Sequence, residues 1–332
     1  MDEPTAPLSE RETDSLFQVI NRLKSQGVAV IYISHRLEEI MRICDSIAVI
    51  RDGRNVCDID AKSTNIDEIV KAMVGRDLQE KYPKIHTEIG EDVFSVSNLN
   101  AGNKVRNVSF SVKAGEVFGV AGLVGAGRTE TMRAIFGIDP KDSGTIAVMG
   151  KEITINKPMD AIDAGIGFVT EDRKSEGLVL YMDVKSNITL ASIRKFRKTF
   201  EIEKKAEEEE ARRYIEKLNI RIASLQQKAG NLSGGNQQKV VLAKWLLTDA
   251  KVLILDEPTR GIDVGAKVEV YNIINDLIKA GVAVIIVSSE SQELLGMADR
   301  IMVMSEGKVV KICENNGNLD LERIMHLASV GA

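Results

Sequence analysis

Two neighbouring stretches constrain this chain more than anything else in it. The first is Asn231-Leu232-Ser233-Gly234-Gly235-Asn236-Gln237-Gln238-Lys239, and the second is Val252-Leu253-Ile254-Leu255-Asp256-Glu257. Ser233 stands where a helix should begin, because serine is a good N-cap and the apolar helical run Val240, Val241, Leu242, Trp245, Leu246 follows. Gly234 and Gly235 let a phosphate approach the backbone N–H groups at that helix start, where the dipole favours negative charge. The apolar run Val252–Leu255 then ends in paired carboxylates, the pattern of a buried parallel strand that delivers acids to its C-terminal rim. One of these carboxylates can hold Mg²⁺ and the next can polarise an attacking water. A capped helix and a core strand would explain either stretch alone, but not both in this order.

Upstream, strands are expected at Val93–Val96, Val105–Val112 and Val117–Ala121, and the last runs into Gly122-Leu123-Val124-Gly125-Ala126-Gly127-Arg128-Thr129 and a helix over Thr131–Phe136. Strand, glycine-rich turn and helix are the context a phosphate-binding loop requires. Thr129 can offer its hydroxyl to Mg²⁺. A glycine turn alone fits a dinucleotide fingerprint equally well, and the two downstream stretches decide against that rival.

These motifs resemble the ATP-binding-cassette (ABC) family, whose signature reads Leu-Ser-Gly-Gly-x-Gln and whose Walker B strand ends Asp-Glu. The resemblance implies an α/β fold of the P-loop NTPase class: a parallel core sheet, an antiparallel β subdomain and a helical signature subdomain at about 180–232. It implies ATP and Mg²⁺ as cofactors. Gly122, Gly125, Ala126, Gly127, Arg128, Thr129 and Glu130 would hold the phosphates; Thr129, Glu171 and Asp256 would face the metal; Glu257 would be the catalytic base. Ser233, Gly234, Gly235, Asn236 and Gln237 would form the signature, and Ser289 would stand at the switch position. Three of these depart from the family pattern: Arg128 replaces its lysine, Glu171 its glutamine and Ser289 its histidine. Arginine still bridges phosphate oxygens bidentately, whereas losing a preorganised donor typically costs roughly 10²–10³ in rate. This site is therefore expected to bind nucleotide and turn it over slowly. No aromatic residue lies in Asn98–Arg106, where cassettes often stack the adenine.

The opening residues Met1-Asp2-Glu3-Pro4-Thr5-Ala6 repeat Leu255-Asp256-Glu257-Pro258-Thr259-Arg260 at an offset of 254, the difference between 256 and 2. Gly27–Ile31 recurs as Gly281–Ile285 and Asp45 as Asp299. Two copies of one domain are implied, the first beginning at the end of its Walker B strand. Residues 1–80 are expected to be the C-terminal remnant of a first cassette, 81–91 a linker, and 92–332 a complete second cassette. In the remnant, 10–25 reads as an amphipathic helix, Val28–Ile33 as a parallel strand of the buried type that lacks part of its partner surface and so leaves apolar area and backbone unpaired, Leu37–Cys44 as a helix, and Ser46–Ile50 with Asn55–Ile59 as a hairpin around Asp52-Gly53. By resemblance Glu3 and His35 would be the catalytic base and γ-phosphate switch of the first copy's site. Glu207–Glu210 reads as a solvated helix face.

The 332 residues are 44% apolar, enough for a substantial core, and Lys+Arg 44 against Asp+Glu 49 leaves a formal charge of −5. That balance argues against a nucleic-acid partner. The apolar runs are strand-sized, so no transmembrane helix or signal peptide is expected. Cys44, Cys57 and Cys313 are widely spaced, which fits a reducing cytosol rather than a disulfide or zinc framework. The fused pair, the loop ending Gly-Arg-Thr-Glu, and Glu171-Asp172-Arg173-Lys174 resemble the ATP-binding subunit of bacterial monosaccharide importers of the ribose, galactose and xylose class. That resemblance implies a peripheral protein on the cytoplasmic membrane face, docked on permease subunits, paired with a second cassette and served indirectly by a periplasmic sugar-binding protein. Competing readings are a truncated fragment without a transport role, or a soluble tandem cassette acting on ribosomes or nucleic acid.

Overall fold

Apolar runs bounded by glycines and acids set the strands, and amphipathic stretches set the helices that cover them. The computed structural model describes residues 1–2, 4–5, 10–34, 37–51, 54–66, 68–69, 72, 82–198, 201–317 and 319–330. They form two compact units, Met1–Lys81 with Asp263–Gly265, and Tyr82–Ile262 with Ala266–Ala332.

In the first unit, α1 (Glu10–Ser25) buries Phe17 and Ile20 against Ile43 of α2 (Leu37–Ile43). β1 (Ser46–Arg51) and β2 (Arg54–Asp60) pair antiparallel, and the Asp52-Gly53 turn between them lies outside the described residues. Val28–Ile33 forms no regular strand, and most of its apolar side chains are left exposed, as the missing partner surface implied. Its only pairing among the described residues is a parallel bridge between Asp2 and Ile33, and Ile31 is 79% exposed. A parallel strand becomes buried only when neighbours pair on both edges and helices cover both faces, which apolar sequence by itself cannot supply.

The second unit opens with β3 (Asp92–Ala101), β4 (Val105–Lys113) and β5 (Val117–Gly122), followed by α3 (Arg128–Phe136). Next come β6 (Ser143–Val148), β7 (Lys151–Ile153), α4 (Pro158–Asp163) and β8 (Ile166–Val169). A π-helical turn, Arg173–Gly177, leads into α5 (Val184–Thr189) and α6 (Lys204–Lys217). The rest is α7 (Gly234–Leu246), β9 (Val252–Asp256), α8 (Val264–Lys279), β10 (Ala283–Val287), α9 (Ser291–Met297), β11 (Arg300–Ser305), β12 (Lys308–Glu314) and α10 (Leu321–Val330). One sheet is antiparallel, in the order β4-β3-β6-β7. The other runs β12-β11-β5-β10-β9-β8 and is parallel except for β12. Central strands β5, β9 and β10 are buried nearly throughout, as strands covered on both faces must be.

Within the acidic block of α6, Glu208 pairs with Arg212 at 2.6 Å on the surface. Glu207, by contrast, is buried and accepts from Lys185 Nζ at 2.5 Å and Thr189 Oγ1 at 2.8 Å. Sequence reasoning placed the whole block in solvent; one of its carboxylates is an internal acceptor that joins α5 to α6.

The segment after Lys81 has no periodicity, yet it lies along the second unit rather than free of it. Tyr82 packs its ring 5.6 Å from that of Tyr271, Lys84 pairs with Asp299 at 2.8 Å, and Thr87 donates to the Gly115 carbonyl at 2.9 Å. His86 is exposed.

The repeat is visible inside each unit as the same buried contact. Thr259 donates to Glu293 at 2.8 Å, and at the equivalent positions Thr5 donates to Glu39 at 2.7 Å. A tyrosine hydroxyl completes each carboxylate, but from a different place: Tyr271 at 2.9 Å in the second unit, Tyr32 at 2.8 Å in the first.

Candidate nucleotide-binding site

Because β5, β10 and β9 are adjacent and parallel, the loops that leave their C-terminal ends converge on one rim. β5 delivers the glycine turn, β9 delivers Asp256 and Glu257, β10 delivers Ser288 and Ser289, and neighbouring β8 delivers Glu171. A cleft of about 650 Å³ opens there, lined by Thr129, Arg133, Asp256, Arg260 and the stretch Glu171–Glu176.

Gly127 caps α3 in the left-handed region, with φ 90°. A Cβ there would meet the Lys104 carbonyl oxygen at 2.3 Å, so only glycine permits the loop to pass this close beneath its neighbours. The turn thus brings the start of α3, with its free N–H groups and positive dipole end, to the cleft. Glu130 is held by Lys104 at 2.6 Å.

Asp256 is fully buried, and neither of its carboxylate oxygens has a hydrogen-bond partner among the described residues. Burial pushes its pKa up to about 7, with the Thr129 side chain and Arg128 pulling the other way. An orphaned carboxylate beside a threonine hydroxyl at the mouth of a phosphate loop fits a hard divalent cation that shares phosphate oxygens. Among the described residues no cluster of three His, Cys, Asp or Glu groups forms a self-contained metal cage. Mg²⁺ carried in with a nucleotide needs no such cage, since it binds proteins through one or two carboxylates plus phosphates.

Glu257 is in the left-handed region, φ 49°, and its carboxylate is already engaged. The Ser289 backbone N–H donates to Oε1 at 2.7 Å, the Ser289 hydroxyl donates to Oε2 at 3.2 Å, and Arg128 stands 4.0 Å away. Burial raises the pKa of Glu257, while Ser289 and Arg128 oppose the rise. Arg128 turns inward: its Nη1 donates to the Ser288 carbonyl at 2.5 Å. Glu171 forms an ion pair with Arg260 at the cleft wall.

The signature stretch lies at the start of α7 in the same unit. Ser233 takes the N-cap position with an extended backbone, but its hydroxyl makes no cap bond; instead it accepts from Asn236 Nδ2 at 3.0 Å. Asn236 Oδ1 accepts from the Arg221 backbone at 2.9 Å, and buried Gln237 donates to the Ala229 carbonyl at 3.2 Å. The exposed Ser233 hydroxyl and half-buried Gly234 remain at the surface. Gly122, Gly125, Ala126, Gly127, Arg128, Thr129, Asp256, Glu257 and Ser289 are therefore gathered at one rim, with Glu171 across the cleft. Glu3 and His35, the residues expected to serve the first copy, lie outside the described residues. Sequence reasoning missed Arg173, Arg260 and Lys244. Arg173 Nη1 and Nη2 donate to the carbonyls of Arg260 and Gly261 at 2.8 and 2.9 Å, and Lys244 Nζ donates to the Gly177 carbonyl at 2.6 Å. A cation within the Glu-Asp-Arg-Lys stretch and a lysine inside an apolar helical run were the available signals.

The comparisons agree with this geometry. The family model described as ABC transporter matches residues 105–260. The ribose import ATP-binding protein RbsA of Lactococcus lactis subsp. cremoris is 53% identical over 331 residues, covering all of this chain and 67% of that protein. The protein of the same name from Geobacillus kaustophilus is 52% identical with the same coverage. Among solved structures, the ADP conformation of an ATP-binding cassette of an ABC transporter has a TM-score of 0.59 at 23% identity, covering 72% of this chain and 95% of that one. A dimeric cassette bound to ADP and Pi gives 0.59 at 20% identity, covering 68% and 99%. At those identities the structures support the fold alone. The curated relatives, matched along all of this chain and two thirds of their own length, carry the assignment: the chain belongs to the ATP-binding proteins of the ABC transporter family.

Proposed function

We propose that this chain is the ATP-binding and ATP-hydrolysing part of an importer for ribose or a related monosaccharide, acting on permease subunits from the cytoplasmic face of the membrane. Names shared by relatives that match the whole chain support the transport role. Among the described residues no helix is long and apolar enough to cross a membrane, in keeping with a peripheral subunit. A periplasmic sugar-binding protein would deliver the substrate. On this reading residues 1–80 are the end of a first cassette, 81–91 join it to the second, and 92–332 are the second cassette.

The observation that carries the nucleotide reading is the orphaned, fully buried Asp256 carboxylate beside Thr129, at the end of the strand two places from the glycine turn. In this reading the loop Gly122–Thr129 binds the phosphates of ATP through its backbone N–H groups and the start of α3. Thr129 and Asp256 hold Mg²⁺, with Glu171 across the cleft. When bound, Mg²⁺ supplies charge neutralisation on the phosphate oxygens. Glu257 is the group that orients and deprotonates the attacking water. Its two oxygens are tied to Ser289 and face Arg128, so it must exchange those partners before it can do so, which favours a slow site. Ser233, Gly234, Gly235, Asn236 and Gln237 complete the nucleotide site of a facing cassette, whose base and switch would be Glu3 and His35 for the first copy.

Steady-state phosphate release by the isolated chain tests this. Tight Mg²⁺-dependent ATP binding with little turnover is expected; turnover at the rate of an ordinary transport ATPase refutes the slow site.

A further inference from the structure

Between α8 and α9 runs a groove that the second unit fills with its own leading segment. Tyr82 seats its ring there, 5.6 Å from that of Tyr271 on α8. The opposite wall is Gly296 of α9, and only glycine leaves room, since a Cβ would stand 2.3 Å from Tyr82 Cγ. Asn275, buried on α8, holds the backbone of the same segment twice, donating to the Pro83 carbonyl and accepting from the Ile85 N–H at 3.4 Å. A side-chain amide offers the donor and the acceptor that an unpaired stretch of backbone needs. Lys84 reaches Asp299 at 2.8 Å and the Ala298 carbonyl at 2.5 Å, just past the end of α9, and Thr87 closes the strap on the Gly115 carbonyl.

The first unit has the matching groove, with no strap in it among the described residues. At the repeat offset of 254, α1 coincides end for end with α8, and α2 with α9. Phe17 stands for Tyr271, Asn21 for Asn275 and Asp45 for Asp299, but Arg42 stands for Gly296 and Lys24 for Ile278. Those two cations replace the strap from within. The Arg42 guanidinium lies 5.0 Å from the Phe17 ring centre, as Tyr82 lies over Tyr271, and Lys24 pairs with Asp45 at 2.7 Å, as Lys84 does with Asp299. What remains of the first groove is an open cavity of about 250 Å³ beside Asn21. The strap is thus a fitted part of the second unit.

What the strap braces is α9, and α9 begins at the switch position. Glu290 is its N-cap residue, the Glu290 N–H donates to Ser288 Oγ at 3.0 Å, and Ser289 between them holds Glu257. Tyr271, under the Tyr82 ring, donates to Glu293 in the first turn of α9, where Thr259 donates as well. Asn315 separately grips the Leu295 and Ala298 carbonyls, so α9 keeps an anchor when the strap is gone.

We propose that Tyr82 is a positioning residue: wedged between α8 and α9, it keeps Ser289 on the Glu257 carboxylate and so holds the site slow. The inference rests on the nucleotide reading above, in which Glu257 must leave Ser289 before it can activate water. With the wedge removed α9 closes toward α8, Ser288–Glu290 moves with its first turn, and Glu257 loses the Ser289 hydroxyl. The restraint lifted is that of one long hydrogen bond, about threefold to tenfold in rate.

The test uses the full chain with Mg²⁺ and ATP, reading kcat and KM by phosphate release and affinity by calorimetry. Tyr82→Ala raises kcat about threefold to tenfold, with affinity within about threefold of wild type. Tyr82→Phe keeps the ring and stays at the wild-type rate. Gly296→Ala leaves Tyr82 in place but drives its ring from the groove, and gives the same rise; alanine suits a helix better than glycine, so this variant answers if Tyr82→Ala fails to fold. A strap that only stabilises the fold would leave kcat unchanged or lower it. An unchanged or lower kcat in either alanine variant that folds, or a raised kcat in Tyr82→Phe, overturns the inference and leaves the nucleotide reading standing. Loss of folding in both alanine variants makes the strap a structural brace and overturns it too. A wild type that binds no ATP overturns the nucleotide reading itself, and the inference with it.

Discussion

Lys244 allows the cost of a buried charge to be measured in the last turn of α7. Its ammonium is 8% exposed for the residue as a whole, lies 5.0 Å from the Trp245 ring centre, and has the Gly177 carbonyl as its hydrogen-bond acceptor. Burial pushes its pKa from 10.5 down to about 8. At about 1.4 kcal/mol per pH unit, that gap means the native state loses about 3 kcal/mol by keeping Lys244 charged at neutral pH. The sign follows from proton counting. Between about pH 8 and 10.5 the unfolded chain keeps the proton and the native chain releases it, so stability rises with pH across that window and the penalty is complete and flat below it. Lys244→Met removes the charge, keeps an unbranched stem, and orphans the Gly177 carbonyl at a cost of about 1–3 kcal/mol. At pH 7 the variant should be equal to wild type or up to about 2 kcal/mol more stable. Its relative advantage should shrink by about 2 kcal/mol between pH 7 and pH 9.5. Urea unfolding followed by Trp245 fluorescence reads the transition of the second unit and gives both numbers. A variant-minus-wild-type difference that is the same at both pH values refutes the argument, because it would mean that the ammonium is not desolvated.

Gly127→Ala should lower stability by at least about 2 kcal/mol and abolish ATP binding, because its Cβ collides with backbone in a left-handed position; thermal melting and calorimetry check the two parts. Thr259→Val should cost about 1–3 kcal/mol by leaving Glu293 short of one donor, and Thr5→Val should show a similar loss in the first unit, both read as shifts in unfolding midpoint. Replacing Arg128 with Lys and Ser289 with His together should raise phosphate release by a dimer of the second cassette on the order of tenfold or more. No increase would place the loss at Glu171 or in nucleotide affinity.

The core sheet of the second unit was legible because its strands are unbroken apolar runs stopped by glycine or acid, as at Val117–Gly122 and Val252–Asp256. The same pattern stands at Val28–Ile33, which the repeat aligns with the β10 region, but without the neighbouring strands that pairing depends on, most of its apolar side chains stay exposed, as the missing partner surface implied. The motif residues of the rim were readable from spacing, since a phosphate loop and paired carboxylates need fixed local sequences. Their hydrogen bonds were not. Ser233 has the right backbone for a cap and a different partner for its hydroxyl, because Asn236 one turn along competes for it. Arg173 and Lys244 act on carbonyls 87 and 67 residues away in sequence, so their roles exist only once the chain has folded. Glu207 shows the same limit from the other side: a four-glutamate run reads as solvent-facing, and only packing reveals which member points inward.

The central claim is that Thr129 and Asp256 form a metal-assisted nucleotide site, and calorimetric titration of the full chain with ATP, in Mg²⁺ and in a chelator, addresses it most directly. Wild type should bind far more tightly with Mg²⁺ than without. Asp256→Asn should still bind ATP through the glycine turn but with Mg²⁺ making little difference. An undiminished Mg²⁺ effect in Asp256→Asn, or no ATP binding by wild type in either condition, would contradict the account.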